Sequence, residues 1–101
     1  MESKFLSVAD SGRIKVLGLL AVETVADYQH RGYEALQKVA REAVIDLAEA
    51  EVVGSAVIAL LLSWQRRAHQ LGKGFAIANA PDHLVAMADL SGLQKVMPFQ
   101  K

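Results

Sequence analysis

Few residues in this chain have types suited to chemistry. They are His30, His69 and His83, a serine at the head of an apolar run (Ser55), and the triplet Gly72-Lys73-Gly74. A zinc site needs ligands of the right type at metal-binding spacing. The three histidines fall on polar helix surfaces and lack that spacing with one another or with a nearby acid. Gly72-Lys73-Gly74 lacks the longer glycine pattern of a phosphate loop and reads as a helix stop. With no cysteine there is neither a thiolate nor a disulfide framework. These residues point away from catalysis, from a metal and from a cofactor. Ser55 offers two uses. As a helix N-cap its hydroxyl would accept from a free backbone N–H and stabilise the helix by about 1 kcal/mol. As a phosphate acceptor it would place ~1.5–2 negative charges at the positive end of a helix dipole. The residues alone favour the cap.

The surrounding elements follow from hydropathy and turn chemistry. Lys4 to Ala9 and Arg13 to Leu20 read as two strands joined by an Asp10-Ser11-Gly12 turn. Thr24 is placed to cap a helix from Val25 to Arg41, with Val25, Tyr28, Gly32, Leu36, Val39 and Ala40 on its inner stripe. Val44 to Leu47 is short and mostly apolar, as expected of a central strand. A second helix runs from Ser55 to Leu71. Phe75 to Ala78 is another buried strand. A third helix opens at Asn79-Ala80-Pro81-Asp82 and closes at Ser91-Gly92, and Lys95 to Phe99 is a short last strand. The order β-β-α-β-α-β-α-β predicts an α/β fold with a mixed, mostly parallel sheet packed with helices. Residues 1–101 read as a single domain.

The second helix is more apolar than one buried face requires. At 100° per residue, Val57, Leu60, Leu61, Trp64, Ala68 and Leu71 form the stripe that packs on the sheet. The opposite side carries Ser55, Ile58, Ala59, Leu62, Arg66 and His69. Its first half is apolar where a solvated back would be polar throughout. Ile58 and Leu62 are therefore expected on an exposed surface with Ser55. Burying each against a partner would contribute ~1.5–3 kcal/mol. Gly54, Ser55, Ile58, Ala59, Leu62 and Arg66 make up the expected partner-binding surface. The same face leaves room for a homodimer.

Composition limits the partners. Eleven basic residues balance eleven acidic ones, so no net charge draws the chain to nucleic acid or to an anionic membrane. The N-terminal residues lack an apolar signal segment. The longest apolar stretch, Val52 to Trp64, is broken by Gly54, Ser55 and Ser63 and falls short of the ~20 residues that cross a bilayer. The expectation is a cytoplasmic chain that meets a membrane only indirectly.

The run Ile45-Asp46-Leu47, then Val52-Val53-Gly54-Ser55-Ala56, then Leu60-Leu61-Leu62 resembles the STAS domain. Gly18-Leu19-Leu20, Thr24-Val25, Ala80-Pro81 and Leu90-Ser91-Gly92-Leu93 are similar to that family's other segments. The family includes anti-sigma factor antagonists and the small B subunit of Mla-type phospholipid-transport ABC systems. The resemblance implies a STAS fold and a non-catalytic binding role. It implies an accessory subunit that binds the transporter ATPase subunit at the inner face of the inner membrane and supports outer-membrane lipid asymmetry. The alternative it implies is an anti-sigma factor antagonist, bound by an anti-sigma factor kinase and released by phosphorylation of Ser55. The family's loop reads D-[ST]-x-G. Here Ser55 matches the hydroxyl, Gly54 replaces the acid, and Val57 replaces the glycine. Those departures favour docking over a phosphate switch.

Overall fold

A computed structural model describes residues 4–100 of the chain. Nine elements follow one another: β1 (Leu6–Val8), β2 (Arg13–Val16), β3 (Gly18–Leu20), α1 (Val25–Lys38), β4 (Glu42–Asp46), β5 (Ala50–Val52), α2 (Ala56–Gln70), β6 (Gly74–Ala78) and α3 (Asp82–Leu90). The expected α/β architecture with a mixed, mostly parallel sheet is present. Four strands lie in the order β1-β2-β4-β6, and β3 pairs with β5 in a separate ribbon. Among the described residues only the β1–β2 hairpin is antiparallel; β2–β4, β4–β6 and β3–β5 are parallel.

Alternation along the strands decides what each sheet face buries. Ile14, Ile45 and Ile77 stand in register across three strands, and all are buried. Leu6, Val16, Leu47, Leu36, Leu60, Leu61 and Trp64 join them in one core. Arg13, Lys15 and Asp46 occupy the alternate positions.

Three expectations are corrected. The strand expected from Arg13 to Leu20 is two strands. Gly18 takes φ +89°, a left-handed conformation that glycine adopts without a Cβ penalty, and it breaks the ladder there. The buried Tyr28 hydroxyl donates to the Leu17 carbonyl at the break. The second half then pairs with β5, a strand lying in the stretch read as loop. Ala50-Glu51-Val52 carries only one β-branched residue, so it gave little strand signal. The expected last strand, Lys95 to Phe99, is reduced to a parallel bridge between Ile77 and Phe99. Val96 and Met97 N–H groups turn back to the Leu93 carbonyl, and Pro98 has no N–H to add.

The first helix ends at Lys38 rather than Arg41, leaving Ala40 exposed. The Lys73 ammonium closes that end, donating to the Leu36 carbonyl at 2.6 Å and the Gln37 carbonyl at 3.1 Å. A cation at a helix C-terminus meets the negative end of the dipole. Its residue lies in the glycine triplet that ends α2. One lysine therefore ties the ends of both helices together.

Candidate partner-docking face

Parallel strands joined by crossover helices bring every helix N-terminus to the same end of the sheet. Ser55 precedes α2 there and is exposed. Its backbone is already helical (φ −78°, ψ −14°), and its side chain makes no capping hydrogen bond. This overturns the expected cap: a capping hydroxyl works from an extended backbone that aims it at the first N–H groups. Ser55 contributes its carbonyl instead, accepting from Ile58 N–H at 3.0 Å. Thr24 likewise turns its hydroxyl away from α1, donating to Leu19 and accepting from Ala21 N–H. Gly54 reaches the helix start through φ +83°, and a side chain there would meet no atom within 4 Å.

The expected exposure of Ile58 and Leu62 is also overturned. Ile58 is 6% exposed and belongs to the core. Leu62 is half-buried and packed against that core. The cause is long-range. Gln65, on the same flank of α2, donates to the Val96 carbonyl at 3.1 Å, so the C-terminal segment lies along this side. A helical wheel contains no such information. Gly54, Ser55, Ala59 and Arg66 remain exposed, as expected.

The apolar surface left open lies on the other side of Ala59. Val25, Ala26 and Gln29 of α1 face Ala56, Ala59 and Leu60 of α2 across a groove of about 250 Å³. Val22 (71% exposed) and Val53 (50% exposed) stand near the helix starts, with Leu19 partly exposed beside them. Sequence reasoning missed the α1 half. The available signal was the small residues Ala26, Ala56 and Ala59 at facing positions.

A second concavity, about 320 Å³, is lined by Arg13, Ala78, Asn79, Ala80 and Gln100. Two of these residues, Arg13 (2.8 Å) and Asn79 (2.9 Å), donate to the Asp46 carboxylate, which also accepts from Ala48 N–H (3.0 Å). Burial by itself would raise the Asp46 pKa. The hydrogen bonds from Asn79, Ala48 and Arg13, with the Arg13 charge, outweigh burial and hold it below the ordinary value. The carboxylate is used up in tying β2, β4 and the end of β6 together.

The histidines are dispersed. His30 stands 3.5 Å from Glu34 on an exposed helix face, and His69 is exposed. His83 Nε2 is 2.7 Å from the Val52 carbonyl, linking α3 to β5. Among the described residues no group of three or more His, Asp or Glu is placed to hold a metal. No helix among them is long and apolar enough to cross a membrane.

A family model described as "Mlab, STAS domain" matches residues 5–98. The chain belongs to the STAS domain family. Its fold is similar to solved anti-sigma factor antagonists. A Thermotoga maritima protein assigned to that class superposes with TM-score 0.76 at 13% identity, covering 95% of this chain and 84% of the other. SpoIIAA in its unphosphorylated form gives 0.71 at 16% identity, covering 95% and 86%. A STAS domain protein from Planctomyces limnophilus gives 0.72 at 21% identity, covering 93% and 86%. No curated protein sequence matches. At these identities the likeness fixes the fold, and function has to be argued from this STAS domain's own surface.

Proposed function

We propose that this chain is a non-catalytic, cytoplasmic accessory subunit of a Mla-type phospholipid-transport ABC system. It acts as a single STAS domain, docks on the transporter ATPase subunit, and supports its assembly or activity in outer-membrane lipid asymmetry. The observation that carries the reading is the open apolar groove between α1 and α2, beside an uncapped Ser55 and a Gly54 in place of the loop acid. Burying Val22 and Val53 against a partner would contribute up to ~1.5–3 kcal/mol each. A phosphate on Ser55 would set a strongly hydrated dianion next to that surface and weaken an apolar contact, as a release switch requires, but Gly54 and Val57 replace the acid and the glycine of the family's phosphoacceptor loop. The Mlab description of the matching family model supports the transporter reading. The likeness to anti-sigma factor antagonists supports the second reading, in which an anti-sigma factor kinase binds this face and modifies Ser55.

The test is co-purification with the ATPase subunit of the same transporter. Ala59→Asp, on the exposed side of α2, should abolish the complex without changing the circular dichroism spectrum. Leu90→Asp, at the far end of α3, should leave it intact. Binding unaffected by Ala59→Asp would remove the groove as the interface. Phosphate on Ser55 in protein from cells, with loss of function in Ser55→Ala, would favour the second reading instead.

A further inference from the structure

The β3–β5 ribbon lies outside the four-stranded sheet, and helix side chains tie it to the rest of the fold. On the β3 side, Tyr28 of α1 donates to the Leu17 carbonyl, and Thr24 donates to the Leu19 carbonyl at 2.8 Å. On the β5 side, His83 in the first turn of α3 meets the Val52 carbonyl at 2.7 Å. A carbonyl can only accept, so His83 Nε2 carries the proton. The ring is exposed and fills no part of the core. Val52 is the last residue of β5, and Val53, Gly54 and Ser55 follow it as an exposed loop. That loop does little to hold itself. Gly54 turns through φ +83° in open space, and the Ser55 side chain caps nothing. The loop is fixed at its entry instead. The Val52 carbonyl and the Val53 N–H belong to one peptide plane. His83 bonds that plane from one side, and the Leu20 carbonyl accepts from it at 2.8 Å on the other.

We infer that His83 is a positioning residue for the docking loop. From α3 it pins the peptide that leads into the loop, so that Val53, Gly54 and Ser55 are presented to the partner in one conformation. This rests on the docking reading and adds to it a residue outside the α1–α2 face. A loop already held in its bound conformation loses less entropy when the partner arrives, which tightens the complex without any new contact. The glycine at position 54 makes the pin matter more, because its backbone is freer than that of any other residue.

The test uses the whole chain as parent, His83→Ala and His83→Gln. The glutamine amide N–H can take the place of Nε2–H and keep the bond. Nitrogen relaxation reads the order of each backbone amide in the free chain, and titration with the transporter ATPase subunit reads affinity. His83→Ala should lower the order of Val53, Gly54 and Ser55 while the middle of α2 stays as rigid as in the parent. It should weaken the ATPase complex by about two- to tenfold, the worth of one neutral hydrogen bond. His83→Gln should restore most of both. An unchanged loop in His83→Ala, or a loss of order spread evenly over the core, would overturn the inference. So would a loosened loop that binds the ATPase as tightly as the parent, an outcome that leaves the transporter reading standing. If the parent fails to bind the ATPase while alanine loosens the loop and glutamine restores it, the pin is upheld and the transporter reading is rejected.

Discussion

Gly32 of α1 packs directly against Trp64 of α2. A Cβ added there would overlap the Trp64 indole, whose N–H donates to the Gln29 carbonyl at 3.3 Å. Trp64 is buried at the centre of the core and has no room to retreat. Gly32→Ala should therefore destabilise the fold by about 1–3 kcal/mol, the usual cost of overpacking, even though alanine is the better helix former. Urea unfolding checks this; a stabilised variant would mean that the helices can part freely. Asp46 gives a pH prediction. Its folded pKa is lowered, so its contribution is fully present above the ordinary carboxylate value of about 4 and is lost as pH falls through the lower folded value. Asp46→Asn should unfold more easily at neutral pH and lose less further stability than the parent on acidification. Parallel acid profiles for the two proteins would contradict the assignment.

At the scale of elements, the helices and the main sheet were legible because their signals are local. The apolar spacing of α1 and α2, the Gly72 stop and the buried runs around Ile45 and Ile77 each report on a few neighbouring residues. What escaped depends on contacts distant in sequence. β5 exists because Gly18 turns β3 toward it, and Ile58 is covered because the chain after α3 returns to the flank of α2. The Ser55 cap failed for a geometric reason, since residue type favours capping but Ser55 has helical backbone angles. Lys73 is a similar case: its glycine neighbours identify a stop, yet its side chain serves another helix 36 and 37 residues away. Lys73→Met keeps the aliphatic stem and removes the charge. It should cost about 0.3–1 kcal/mol, measured as a lowered melting temperature, with the difference shrinking in high salt. A salt-independent loss would point to packing of the stem instead.

For the whole molecule, the parallel topology collects three helix starts, the three loops that lead into them and the groove residues at one end. A protein-binding module needs little more than a firm core and an apolar recess left open. The candidate site was half legible. Gly54, Ser55, Ala59 and Arg66 are exposed as their helix positions suggest, whereas the recess itself belongs equally to α1 and could not be seen from one helix. Hydrogen–deuterium exchange of the chain, alone and with the transporter ATPase subunit, tests this assignment most directly. Slowed exchange in Val22–Gln29 and Val53–Leu60 on complex formation is the predicted result. Protection confined to α3 and the segment after it, with the α1–α2 groove unchanged, would contradict it.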